Sequence, residues 1–329
     1  MTRHLNRTKQ QWGGVRGDIY EHRRFVVETM SHIHTGGPEA LIQLTLALAG
    51  AVGLPHIRII HGVIRPFFIT EYPLIKMVAS ISMKELRTGD IFIRPEIHPG
   101  CKQTGLPQRG VKVIIYLLST TIQKPERIID GGCGLITHSW FLSWSNMWRK
   151  PLPRQLVVRP YISPSTTRFC REQRTAATAT RRDLVLVDND TPTQVADEVK
   201  RICAIIGCRS MVLRGVSRKN VQALLLQAKV IVDWCMVGLE RLPIEAVMCG
   251  AVLITSRCGH SQDTRDFPIP PQNILNTSRE LQQALPRTLT NFATEAPAYD
   301  GMRRLYSDYI NATSMQAEVN AAATLLSQI

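Results

Sequence analysis

No two of the eight cysteines are spaced C-x-x-C, and no cluster with metal-ligand spacing is picked out. Several cysteines sit in apolar runs such as "RICAII" and "AVMCGAV", so buried, reduced thiols of a cytosolic protein are the expectation. No apolar run reaches the roughly 18 residues that a membrane-spanning helix needs. The best candidate, residues 40–54, is broken by Gln43 and Thr45 and reads as a buried helix. The basic opening, residues 1–22, has no apolar segment of the secretory kind and reads as a flexible tail. There is no G-x-G-x-x-G and no G-K-[ST], which removes the usual dinucleotide and P-loop signatures. Aromatic residues make up only 6%, and no long Lys/Arg block occurs. A stacking platform for single-stranded nucleic acid is therefore unsupported, despite a net charge of +14. That charge still asks for an anionic partner: a phosphorylated ligand, an acidic membrane face or, as the weakest candidate, nucleic acid.

What is present is a rhythm. The chain of 329 residues is long enough for two domains, and short apolar runs alternate with helix-like segments. Strands are expected at 23–30, 56–63, 89–97, 111–119, within 134–144 (a short strand turning into an aromatic segment) and 155–162, then at 183–188, 210–215, 229–234 and 251–256. Alternation of this kind predicts parallel α/β architecture. The expected division is a tail (1–22), a first domain (23–165), a linker rich in Thr, Ala and Arg (166–182), a second domain (183–296) and a final helix (297–329) that packs back on the first domain.

The stretch "GLERLPIEAVMCGAVLITS" carries the main chemical signal. Pro243 suits the first position of a helix and Gly250 its end. Glu245 then falls in the first turn, beside free N–H groups. An ionised carboxylate only accepts, so it can hold two adjacent sugar hydroxyls, while Arg241 contacts a phosphate. The alternative is that Glu245 only stabilises the helix start, by about 0.3–1 kcal/mol. Upstream, Gly36 and Gly37 precede Pro38 at a helix start, where glycines let the backbone approach a ligand. His34, His138 and His260 lie on loops or strand ends; His138, closing a strand, is the best placed general base. Trp140, Trp144 and Trp148 recur at helical spacing and read as a packing stripe.

In order along the chain stand Gly36-Gly37-Pro38-Glu39, Pro95-Glu96-Ile97, Ala228-Lys229-Val230 with Asp233, Arg241-Leu242-Pro243-Ile244-Glu245-Ala246 and Asp266-Phe267-Pro268-Ile269-Pro270. With Gly238, Gly250, Ile254 and Thr255 they resemble GT-B fold glycosyltransferases, above all small bacterial ones of surface-polysaccharide type. That resemblance implies two Rossmann-like domains facing across a cleft. It also implies transfer of a sugar from a nucleotide-diphosphate sugar to a glycan or lipid-linked acceptor, with retention and without a metal or other cofactor. It puts Glu245 on the donor ribose, with Gly238, Arg241, Arg214 and Lys219 around the donor phosphates. Glu240 falls near the donor sugar as a catalytic residue, His138 serves catalysis from the first domain, and Gly36, Gly37 and His34 line the acceptor side. A cytoplasmic protein, in peripheral contact with an anionic membrane, is the matching location. Two departures leave a second reading open, a non-catalytic protein that binds a nucleotide sugar or glycan. Val237, not Glu, stands eight residues before Glu245, and the loop "DNDTPTQ" is acidic where a phosphate-gripping base is expected.

Overall fold

The computed structural model describes residues 23–30, 36–60, 64–96, 106–119, 134–144, 157–178 and 181–328. The chain divides into two compact units, one of Met1–Leu118, Ile122–Tyr161 and Ala312–Ile329, the other of Ser119–Thr121 and Ile162–Asn311.

The first unit is built on six parallel strands: β1 (Phe25–Glu28), β2 (Ile57–Ile60), β3 (Ala79–Ser80), β4 (Ile91–Pro95), β5 (Lys112–Leu117) and β6 (Gly134–Thr137). Their order is β3-β2-β1-β4-β5-β6, the arrangement of a Rossmann sheet. Runs such as "FVV" and "VIIYL" are buried throughout, as strands covered on both faces must be. The helix Gly36–Val52 buries most of its length, from Pro38 to Ala49 with Leu46 half-buried, in the core. Its polar residues are satisfied there. Gln43 donates to Tyr72 Oη and to Tyr161 O and accepts from Tyr161 N–H, and Tyr72 Oη donates to Glu39. The last helix, Ala312–Gln328, joins this unit through Gln316, which donates to Ala47 O, and through Glu318, paired with Arg159.

The second unit carries β7 (Arg182–Val187), β8 (Arg209–Val212), β9 (Ala228–Asp233), β10 (Val252–Ser256) and β11 (Ile274–Leu275). All pair in parallel, in the order β11-β10-β9-β7-β8, which is a flavodoxin-like sheet. Together the two units make a mixed α/β chain with two Rossmann-like parallel sheets.

Three local expectations differ from what is found. The stretch expected as a linker is the helix Pro164–Thr178, whose Cys170 is buried against Cys249; tertiary packing overrides a polar, period-free sequence. The stretch at 155–162 forms a single bridge, Thr137 to Val157, among its described residues. Of the segment expected as one closing helix, Asp300–Arg304 belongs to the second unit and only the part from Ala312 onward to the first.

Candidate active site at the carboxyl edge of the second sheet

In a sheet of this order ligands collect where connections leave in opposite directions, here between β7 and β9. Both strands end there in aspartate. Asp188 follows β7, with its N–H on Val232 O at 2.9 Å, and Asp233 closes β9. Asp190 joins them: one carboxylate oxygen of each lies within 4.8 Å of the others. Asp188 Oδ1 accepts the Asn189 N–H at 2.6 Å. Asp233 is 1% exposed, and its Oδ2 is shielded and has no hydrogen-bond partner among the described residues.

Burial, followed by the charge of Asp190, pushes the Asp188 carboxyl up to about 7. Burial and then the charge of Asp188 lift Asp233 well above the usual carboxylate range. Glu240 is the fourth member. It is half-buried, accepts the Gly238 N–H at 3.0 Å, and is pushed up to about 7 by burial and then by Asp190. Asp188, Asp233 and Glu240, shielded from water and raised by their neighbours' charge, do not readily all carry charge unaided. They hold protons or share a cation.

The helix after them begins at Arg241, not at Pro243. Pro243 is its third residue, where the N–H still has no intrahelical partner. Glu245 is correspondingly beyond the first turn and is not the helix-start anion that spacing suggests. Its carboxylate is 6% exposed and is held by two guanidinium groups. Arg241 Nε donates to Oε1, and Arg218 Nη2 stands 3.6 Å from the same oxygen while donating to Thr166 Oγ1 at 3.0 Å. Nothing in the sequence pattern singles out Arg218. Ser217 caps the helix Arg218–Gln227 at its start, and that places Arg218. Arg214 is exposed and reaches the acidic loop through Asn189 Oδ1 at 3.3 Å. Lys219 is exposed at the start of the Arg218–Gln227 helix.

The loop from β9 to this helix is braced. Cys235, at φ 66°, pairs with Cys258, and its N–H donates to Ser256 Oγ at 2.9 Å. Met236 O accepts the His260 N–H at 2.8 Å and faces His260 Nδ1 at 3.2 Å. His260 is thus a buried brace, its imidazole lowered to about 4, chiefly by burial.

The remaining candidates belong to the first unit. His138 follows β6, is 3% exposed, and donates its backbone N–H to Leu117 O at 3.2 Å. Gly36 and Gly37 are the first residues of their helix, the former exposed, and a Cβ on Gly37 would meet Leu118 Cδ1 at 3.4 Å. His34 and Trp148 lie outside the described residues. A pocket of about 280 Å³ in the second unit is lined by Thr167, Arg171, Met248, Arg303 and Arg304, none of them in the groups above. The sequence does hold a sign of the acidic group, since Asp188 and Asp190 are spaced D-x-D after a strand and Asp233 ends another.

No known family model matches the chain, and neither does any curated protein sequence. Solved structures do match. An α,α-trehalose 6-phosphate synthase from Burkholderia multivorans is 11% identical, with a TM-score of 0.55 over 93% of this chain and 98% of that one. A UDP-forming α,α-trehalose-phosphate synthase from Burkholderia vietnamiensis gives 11% and 0.55, over 93% and 99%. An α1,3-fucosyltransferase gives 10% and 0.52, over 97% and 94%. At such identities the likeness is one of fold, and the fold is that of the GT-B glycosyltransferases, with two Rossmann-like domains.

Proposed function

We propose that the protein is a glycosyltransferase, moving a sugar from a nucleotide-diphosphate sugar to a hydroxyl of a glycan or lipid-linked acceptor, with retention. The observation that supports this most is the coincidence at one place of a topological switch point and a charged cluster, Glu245 with Arg241 and Arg218. In this reading Glu245, balanced by the two guanidinium groups, accepts from the donor ribose. Arg241, Arg214 and Lys219 offset the charge on the leaving diphosphate, and the buried Gly238 lets the donor approach the backbone. Glu240, raised into the neutral range, faces the donor sugar, where it can hold or release a proton. His138 serves catalysis from the first unit, and Gly36, Gly37 and His34 line the acceptor side. Most of the rate comes from positioning and charge stabilisation.

An acceptor at an anionic membrane suits the charge of +14, and no described helix is long and apolar enough to cross one. A cytoplasmic place suits a nucleotide sugar, while the two cysteine pairs suit a compartment that oxidises thiols. Calorimetric titration with UDP, GDP, ADP and their sugars, on wild type and Glu245→Ala, tests the reading. One nucleotide is expected to bind wild type and not the variant. Absence of binding by every nucleotide to folded protein overturns it. A second reading, nucleotide-sugar binding without turnover, draws on the acidic Asp188 and Asp190 where a base would grip phosphate. It predicts binding with no release of sugar.

A further inference from the structure

We propose that Asp188, Asp190 and Asp233 form a binding site for one hard divalent cation, of the calcium, magnesium or manganese class. The inference concerns these side chains alone and does not need sugar transfer. It departs from the metal-free chemistry that the family resemblance implies.

Geometry comes first. Calcium takes oxygen ligands at about 2.3–2.6 Å, so oxygens on opposite sides of it stand about 4.6–5.2 Å apart. Magnesium, at about 2.0–2.1 Å, brings them to about 4.0–4.2 Å. The three carboxylate oxygens lie within 4.8 Å of one another. Separations inside that bound are compatible with either ion, so the three oxygens can converge on one cation of the calcium or the magnesium size. The donors are all carboxylate oxygens, the set that favours hard cations over zinc or copper.

Burial is the second, separate observation. Asp233 is 1% exposed, and its Oδ2 meets neither solvent nor a hydrogen-bond donor among the described residues. A polar atom left so is costly, and an ionised one more so. The neighbouring charges add to the demand, since Glu240 brings a fourth carboxyl group to the same place. Arg214 reaches the loop only at Asn189 Oδ1, 3.3 Å away, and is itself exposed. A cation seated among the carboxylates supplies the missing partner.

The ligands are also held in advance. Asp188 and Asp233 sit on adjacent parallel strands, tied by the Asp188 N–H to Val232 O. Asp190 is carried by the turn in which the Thr191 N–H returns to Asp188 O at 3.2 Å. The order of the second sheet alone brings them together.

The test uses the full chain, stripped with a chelator and free of nucleotide. Calcium, magnesium and manganese are titrated by calorimetry. Terbium serves as a luminescent probe excited through Trp234, the residue after Asp233. The expected result is saturable binding of one ion per chain, with Kd at or below about 1 mM. Asp233→Asn and Asp190→Asn each weaken it about tenfold or more, while the exposed Asp308→Asn leaves it unchanged. Asp190 is exposed, so its variant keeps the test open if Asp233→Asn fails to fold. No saturable binding up to about 10 mM, or binding that survives both substitutions, overturns the proposal. Nucleotide binding without cation binding removes this inference alone. Cation binding without nucleotide binding removes the transfer reading alone.

Discussion

Gly259 lies directly against the carbonyl of Met236: a Cβ on residue 259 would stand 2.1 Å from that oxygen and 2.9 Å from its carbon. Its φ is +64°, so a side chain would also be strained. Backbone cannot yield as a flexible side chain can. Gly259→Ala is expected to destabilise the protein by about 2–5 kcal/mol, combining overpacking with backbone strain. Gly207→Ala is the control, with φ +72° and nothing within 4 Å of the added methyl. It should lose only about 1 kcal/mol. Urea unfolding of both variants measures the difference. Because Met236 sits in the loop that delivers Glu240, Gly259→Ala should also lower nucleotide affinity, and Gly207→Ala should not.

The order of elements is largely legible in the sequence because most strands are short apolar runs, and three of them, β4, β7 and β9, are closed by Pro or Asp. The runs "DLVLVD" and "KVIVD" mark β7 and β9 by their composition alone. Their adjacency is not legible, since β7 could pair with any later strand, and so the meeting of Asp188 with Asp233 stays hidden in the sequence. The acidic loop registers there only as a missing base. Glu245 is marked by its motif, but spacing misplaces it on its helix, because the helix starts at Arg241. Its second partner, Arg218, comes from another helix, and contacts of that kind leave no local pattern. Pro164–Thr178 is hidden for the same reason: its place is fixed by contacts with the Arg241–Cys249 helix, not by its own period.

The cluster of Glu245, Arg241 and Arg218 should behave as a unit. Glu245→Ala leaves two partly buried guanidinium groups, 15% and 25% exposed, without their shared anion. Solvent screens both in part, so the expected loss is about 1–3 kcal/mol, below the full cost of orphaning a buried charge. Adding Arg241→Ala should recover part of it. A double-mutant cycle by thermal melting gives the coupling. Strict additivity of the two substitutions would mean that the pair contributes nothing.

The cysteines are expected to be paired, not reduced. Cys170 and Cys249 have Cα atoms 4.4 Å apart and close a loop with a separation of 79 residues; Cys235 and Cys258 are separated by 23. On chain entropy alone these crosslinks stabilise by about 4.5 and 3.4 kcal/mol. Cys203 and Cys208 carry free thiols, and Cys101 and Cys133 lie outside the described residues. Thiol titration in denaturant should therefore find at least four fewer groups before reduction than after, and reductant should lower Tm. Titration of all eight cysteines without reductant would overturn the pairing.

His260 sets a dependence on pH whose sign is fixed by its burial. The folded protein holds its imidazole at about 4, against a usual value of 6.5. Burial is the main cause, opposed by Met236 O and by the charge of Asp263. Between those values the unfolded chain takes up a proton that the folded protein refuses. Stability from this group is therefore complete above pH 6.5 and falls away as the pH drops towards 4, by about 3 kcal/mol in all. Asp188 and Glu240 act in the opposite sense, since their raised values favour the folded state as the pH falls below 7. The two trends overlap, so the wild-type profile alone does not separate them. His260→Asn keeps a neutral donor towards Met236 O and removes the titration. Stability of wild type minus that of the variant, measured from pH 8 to pH 4, should be flat above about 6.5 and decline below it. A flat difference across the whole range would show that His260 titrates alike in both states and is not a buried brace.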